Sequence, residues 1–383
     1  MMDDSTQAAI VAASRTAIGR RNGALAEFDA AELGGFAIDN LDVRSLERGV
    51  TDVYWGNTLS HYGNTGRISV LMSALPIETP AITVDRQCGS GISTVAMAAA
   101  AVNVPGAKPS LIIAGGSESM TNEPHLLDIN GRNPKFLRRE LSSSEVGDPV
   151  MGITAENLRR KFNIDRIRQD EFALSSQQKF AESTSQGISN EFLIPVQSSN
   201  GLVDADEHPR PTSNLESLSK LRPAFEKEGT VTAGNASGIN DAAAAVAVMN
   251  KEGAQNSGID VLAYIGHTAV VGVDPNYMGI GPVPAIQKLL KTTGRKFKDY
   301  DVIEINEAFA VQVLACVDEL GLTENDVNPI GGAIAHGHPI AATGTILIQK
   351  AISQLRSRGG GRAIVSACIG GGMGIATEIV VRD

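Results

Sequence analysis

Cysteine is scarce in this chain, with three in 383 residues, and aromatic residues make up only 4%. Three widely separated cysteines form no disulfide framework, and none stands in the CxxC spacing of a structural zinc site. A reducing, cytoplasmic compartment is the expectation. No apolar run approaches the roughly 20 residues that span a bilayer. Basic residues are in deficit, 33 Lys and Arg against 43 Asp and Glu for a net charge of −10. That balance excludes a broad nucleic-acid or anionic-membrane surface and leaves room only for a local basic pocket around an anionic ligand. The N-terminus, MMDDSTQAAIVAA, is acidic where a targeting peptide would be basic, and the final VVRD is no peroxisomal address.

Glycine is abundant, with 40 residues, beside a 42% hydrophobic content. This combination describes an α/β protein with many tight strand-to-helix turns, long enough for two or three domains. Apolar runs at 8–13, 81–84, 110–116, 301–305, 363–368 and 375–381 read as buried strands. Between them, GISTVAMAAAAV, NEAFAVQVLACVDEL and TGTILIQKAISQL read as helices. Residues from about 119 to 240 are more polar and read as an inserted subdomain. Each half has an apolar strand followed by glycines, LIIAGG and IVSACIGGG, which hints at duplication.

Cys88 stands where the strand AITV turns into an Ala-rich helix. Backbone N–H groups at such a turn favour a thiolate, so Cys88 is either the nucleophile or a small buried hydrophobe. Cys368 precedes GGGMG, whose missing side chains leave N–H groups free to face an oxyanion; a packing role at the strand end fits equally. Cys316 sits inside an apolar helix and reads as core. His336 and His338 lack the further ligands a metal needs, and no metal is expected. With Pro339 and a helix following, His338 suits a general base or a plain turn histidine. Asn306 is by default a helix cap, and such an asparagine also holds water.

Taken together and in order, IVAASRTAIG, CGSG, GGSESM, MGITAEN, DEHPRP, KLRPAF, VTAGNASGIND, GVDP, MGIGPVPA, INEAFA, GGAIAHGHP and CIGGGMG resemble the thiolase family over nearly the whole chain. The resemblance implies two similar βαβαβαββ halves in a layered α/β/α/β/α sandwich with an inserted loop subdomain. The halves would be 1–118 plus about 241–260, and 261–383, with the insertion at 119–240. It implies an acyltransferase that forms or cleaves 3-ketoacyl-CoA. Cys88 would take the acyl group, His338 would lower its pKa and help bind the thioester oxygen, and Cys368 would move the α-proton. Asn306 would hold a water beside His338, and the N–H groups of Cys88 and Gly370 would form a second oxyanion hole. Ser237, Arg210, Ser217, Phe225, Ala233, Met151, Met278 and Phe309 would contact coenzyme A or substrate, with Lys220 and Arg222 adding positive charge. Coenzyme A is then a substrate, no cofactor is needed, and a homodimer or homotetramer is expected.

The chain departs from the family pattern at Asp85, where asparagine is usual, and at Ala341 and Thr343, where glycine and serine are usual. Asn64 and the alanine of NDAAA are also unusual. Two other readings stand beside the thiolase: a related condensing enzyme such as a ketoacyl synthase, and a non-catalytic acyl-CoA-binding protein.

Overall fold

The computed structural model describes residues 7–41, 49–104, 110–128 and 135–382. Residues 129–134 of the polar run in the insertion therefore lie outside the described residues. In chain order the strands are β1 (Ala8–Arg15), β2 (Gly19–Arg20), β3 (Asp52–Gly56), β4 (Ala81–Val84), β5 (Leu111–Ser119), β6 (Leu126–Asp128), β7 (Lys135–Leu137), β8 (Val196–Ser198) and β9 (Gly201–Val203). The last five are β10 (Asn240–Asn250), β11 (Ala263–Gly272), β12 (Val302–Ile305), β13 (Gly361–Ile369) and β14 (Met373–Val381). The pairs β6–β7 and β8–β9 are hairpins outside the main sheet.

The main sheet is two copies of one pattern joined at a seam. Strand β1 pairs with β10, and its first residues, Ala8 to Ile10, also pair with β11. Outward from the seam, one half runs β1, β10, β5, β3 and the other β11, β14, β13, β12. In both, the successive pairings are antiparallel, antiparallel and parallel. LIIAGG and IVSACIGGG thus occupy equivalent strands, β5 and β13. Strand β4 extends the first half beyond β3.

Helices fill the space between the half-sheets and cover their outer faces. Ser90–Val102 and Ile340–Ser357 are the two inner helices. Ile92, Val95, Leu347 and Ile352 pack against Ile112 and Val248 of one half and Val365 and Ile375 of the other. Leu33, Ile38 and Val70 cover Val53, Trp55 and Ile113 on one outer face, and Ile286, Leu289 and Leu314 cover Ile303 and Ile364 on the opposite one. The layers run helix, sheet, helix, sheet, helix. Each fully buried Leu, Ile or Val contributes on the order of 1.5–3 kcal/mol.

The inner helices cross with little space between their backbones. A Cβ on Gly344 would lie 2.5 Å from the Ile92 nitrogen, and one on Gly91 2.7 Å from the Thr345 nitrogen. Cys88 precedes one of these helices and His338 the other, so this crossing sets their separation.

Strands β3, β10 and β11 are not evident from the apolar runs of the sequence. The alanines of β10 have high helix propensity, yet every residue from Asn240 to Met249 is buried in the sheet. Ala243 and Ala245 face one outer core while Ala242 and Ala244 pack against Ala342 and Ile346 of an inner helix. Small side chains let layers approach from both sides, and this tertiary demand overrides propensity.

Between Ser119 and Asn240 the chain leaves the sheet, whereas the equivalent strands β13 and β14 are joined through Gly370, Gly371 and Gly372 alone. That excursion carries the helices Met151–Phe162 and Arg166–Ser185. It is tied back by a buried ion pair between Arg15 and Asp206 at 2.8 Å.

Candidate active site

Cys88 lies in a single 3-10 turn, Gln87–Gly89, one step before the helix Ser90–Val102. Gln87 adopts a left-handed φ of 46°, a conformation costly for a residue with a side chain. Asp85 stabilises it by accepting from the Gln87 main-chain N–H at 2.9 Å and from its Nε2 at 3.0 Å. The Thr58 hydroxyl donates to the same carboxylate. Asp85 therefore acts as a staple on the turn that presents Cys88.

His338 approaches from the other half of the molecule, its Nε2 3.3 Å from Cys88 Sγ. Its main-chain N–H donates to Asn240 Oδ1 at 2.9 Å, and Nδ1 lies 2.7 Å from the Thr343 hydroxyl. Asn306 Nδ2 stands 3.4 Å from the same Nε2. Two donors, the Cys88 thiol and the Asn306 amide, face Nε2. The proton therefore belongs on Nδ1, donated to Thr343, with the Nε2 lone pair facing Cys88.

Asn306 is not a helix cap. The segment Asn306–Phe309 is a loop, and the helix begins only at Ala310, with Phe309 in the cap position. Asn306 is wholly buried and its Oδ1 has no hydrogen-bond partner among the described residues, which suits an atom that accepts from water. Cys368, also buried, is the next-to-last residue of strand β13, opposite Gly374. Gly371 and Gly372 both have φ of 85°, values that suit glycine. They turn the chain so that the Gly370 N–H reaches the Cys88 sulfur. Cys316 is core, its Sγ 3.3 Å from the Gly279 carbonyl oxygen.

Electrically the resting pair is neutral. Burial pushes the Cys88 thiol up to about 11; the Gly370 and Cys88 N–H groups oppose this, and Glu118 and Asp85 add to it. Burial holds His338 down to about 4 and Cys368 well above the ordinary thiol range. Glu118, buried beneath the site, accepts from Asn57 Nδ2 and from the N–H groups of Leu59 and Ala341. Burial still raises it to about 8. Glu118 and Asn240 lie in the motifs GGSESM and GIND, but nothing local in those motifs marks either as a site residue. Thr343 is visible in the sequence only as a departure from the family pattern.

A pocket of about 530 Å³ opens over Cys88, with Met120, Leu141, Met151, Ile340 and Gly370 in its wall. A second cavity of about 480 Å³ is lined by Arg210, Ser217 and Ala233 together with His208 and Gln177. Ser217 already closes a capping box with Asn214. Phe225 is exposed and meets Phe309 edge-on, ring centroids 6.1 Å apart. Ser237 donates its N–H to the Ala308 carbonyl, beside Asn306. Met278 is buried in the outer core and lines neither cavity. Lys220 pairs with Glu216, and Arg210 and Arg222 are exposed. Among the described residues no cluster of three His, Cys, Asp or Glu side chains is arranged to hold a metal ion. His336 is buried against Phe180, ring centroids 5.4 Å apart.

Known proteins share this architecture throughout. Residues 8–252 match the N-terminal domain of thiolase and residues 259–381 its C-terminal domain. The beta-ketoadipyl-CoA thiolase of Acinetobacter baylyi is 42% identical over 396 residues, covering 97% of this chain and 98% of the relative. The acetyl-CoA acetyltransferase of Escherichia coli is 41% identical over 391 residues, covering 97% and 98%. The crystal structure of human mitochondrial 3-ketoacyl-CoA thiolase in complex with CoA superimposes with a TM-score of 0.91 at 38% identity, covering 98% of each chain. With both domains matched and the likeness extending from end to end, this chain belongs to the thiolase family of acyltransferases.

Proposed function

We propose that this enzyme transfers acyl groups between coenzyme A thioesters, cleaving 3-ketoacyl-CoA with CoA or running the reverse Claisen condensation. The observation that carries this reading is the convergence of Cys88 and Asn306 on one nitrogen of His338, at 3.3 and 3.4 Å. In the cleavage direction, Cys88 Sγ attacks the 3-keto carbon as His338 Nε2 takes its proton. Both groups start neutral, so no ion pair must be held in an apolar site before substrate arrives. The N–H groups of Cys88 and Gly370 are the donors for one developing oxyanion. The bond between C2 and C3 then breaks, leaving the acyl group on Cys88 and an acetyl-CoA enolate. The enolate carbon takes its proton from the Cys368 thiol, which burial keeps protonated at rest. His338 Nε2–H and a water on Asn306 Oδ1 would stabilise the enolate oxygen. Coenzyme A finally attacks the acyl-Cys88 thioester as its thiol proton passes to the Cys368 thiolate; Cys88 leaves and takes back the proton held on His338, and the shortened acyl-CoA is released.

The excursion from Met120 to Ile239 would cover coenzyme A, with Arg210, Ser217, Ser237 and Phe225 along its path and Met151 and Phe309 nearer Cys88. A second copy of the chain fits the free edge of β4, where Ile82 is exposed beside exposed Leu71, Met72, Ile77 and Met97. Three free cysteines suit a reducing cytoplasm.

The test is loss of 3-ketoacyl-CoA absorbance when CoA is added to the purified protein. Turnover that disappears in Cys88→Ala is expected. Full activity in that variant would overturn the mechanism, and CoA binding without any turnover would favour the non-catalytic reading.

A further inference from the structure

The loop that carries Asn306 and the segment that leads to His338 meet on one buried carboxylate, Glu307. Its Oε1 accepts from Asn328 Nδ2 at 2.9 Å. Its Oε2 accepts from the Ser176 hydroxyl at 2.7 Å and from the Ile334 main-chain N–H at 3.1 Å. The direction of that hydroxyl is set, because Ser176 Oγ itself accepts from the Gly332 N–H at 3.0 Å. Gly332 and Ile334 stand at the start of the short helix Ala333–His336, which turns through Gly337 into His338. Gly332 leaves the room this needs, since a Cβ there would lie 2.3 Å from Glu307 Cδ.

Asn328 holds the chain on the other side of Asn306. Its Oδ1 accepts from the Ile305 N–H at 2.8 Å and its Nδ2 donates to the Ile305 carbonyl at 2.9 Å, so its amide cannot turn over without losing both. Asn306 thus sits between two residues gripped by Asn328, and the second of them, Glu307, carries the grip across to the His338 segment. All three contacts of Glu307 come from donors, which suits an ionised carboxylate. Burial pushes its carboxyl up, and the Ser176 and Asn328 donors, the Lys350 charge and the Ile334 N–H oppose that. A glutamine of the same shape would set its NH2 against either the fixed Asn328 amide or the Ile334 N–H.

We infer that Glu307 is a positioning residue for the reaction, setting Asn306 against His338 and with them the geometry of the hole for the enolate oxygen. It touches no reacting atom. This rests on the thiolase reading of the same site and adds a residue to it. The other hole, made by the N–H groups of Cys88 and Gly370, is built on different elements, the Cys88 turn and the glycine run after β13. His338 serves both steps, but the Asn306 water serves only the enolate. Damage at Glu307 therefore falls on cleavage of the carbon bond more than on exchange of the acyl group between thiols.

The experiment compares two reactions that form the same acyl-Cys88. Thiolysis of acetoacetyl-CoA breaks a carbon bond, whereas exchange of isotopically labelled CoA into acetyl-CoA does not; 3-oxohexanoyl-CoA with butanoyl-CoA gives a second pair. The ratio of kcat/KM for thiolysis to that for exchange is expected to fall by about tenfold or more in Glu307→Gln. Ser176→Ala, which removes one donor from the inserted excursion, should lower the ratio by a smaller factor. A wild-type ratio in folded Glu307→Gln, whether both rates drop together or neither does, overturns the inference and leaves the thiolase reading intact. Should Glu307→Gln fail to fold, Ser176→Ala decides, and an unchanged ratio there overturns it. Wild-type protein that neither cleaves nor exchanges either pair would remove the thiolase reading, and this inference with it.

Discussion

The Thr343 hydroxyl lies 2.7 Å from Nδ1 of His338, on the first turn of the helix that His338 precedes. This contact sets which ring nitrogen faces Cys88. Replacing Thr343 with valine keeps the shape and removes the acceptor, so the other tautomer becomes accessible and Nε2 is no longer reliably a base. The kcat of Thr343→Val should fall by about 10–100-fold, by analogy with other groups that orient a reacting histidine, with KM little changed. Thr343→Ser should restore most of it. An unaltered kcat in the valine variant would show that the hydroxyl does not control the tautomer.

The neutral resting pair is open to direct measurement. With Cys88 pushed up to about 11, the thiolate fraction rises about tenfold per pH unit between pH 7 and 10. Alkylation of Cys88 by iodoacetamide, followed by mass spectrometry, should climb with that slope. Cys316 and Cys368 are buried and should react later. A rate already level below pH 8 would mean a preformed thiolate–imidazolium pair.

Gly344 and Gly91 make the contact between the inner helices. Gly344→Ala places a methyl 2.5 Å from the Ile92 nitrogen, with backbone rather than a yielding side chain opposite. The helices must move apart, at a cost of about 1–3 kcal/mol or more. The same movement separates Cys88 from His338, so kcat should fall even where the variant is fully folded. Urea midpoints and rates measured at low temperature check both effects. A variant with wild-type stability would refute the close-packing argument.

Stability should depend on pH through groups buried in their neutral forms. His208 and His338 are both held down to about 4 by burial. As pH drops below the ordinary histidine value of 6.5, the unfolded chain takes up protons that the fold refuses. Stability from these two is therefore lost between about pH 6.5 and 4. Glu118 has the opposite sign. Held up to about 8, it keeps a proton that the unfolded chain releases above 4.5, so its contribution is lost as pH rises from about 4.5 through 8. Between pH 6.5 and 8 only Glu118 of these three acts. Urea midpoints in that window should fall less steeply in Glu118→Gln than in the wild type, and identical slopes would argue against a protonated Glu118.

Much of the site is legible in the sequence. Cys88, His338 and Cys368 stand out because their neighbours are unusual: glycines beside a cysteine, a proline after a histidine, a glycine run after a strand. Asn306 is legible only through the resemblance to thiolases, since local rules make it a cap and the structure makes it a loop residue facing His338. Thr343, Asn240 and Glu118 are not legible as site residues, because their roles lie in contacts with residues far along the chain.

The same division holds for the fold. Strands β1, β5, β12, β13 and β14 announce themselves as apolar runs, because a strand buried on both faces needs nothing else, whereas β4 gives the same signal from a part-exposed edge position. Strand β10 does not, because alanine serves helix and strand alike and only the layers pressing on both its faces select the strand. Local sequence is enough to supply the inventory: two cysteines beside glycines, a histidine before a proline and the turns that present them. Their distances come from tertiary packing and from nothing shorter in range. Cys88 and His338 belong to opposite halves of a duplicated fold, and they meet because two glycine-lined helices are able to cross closely.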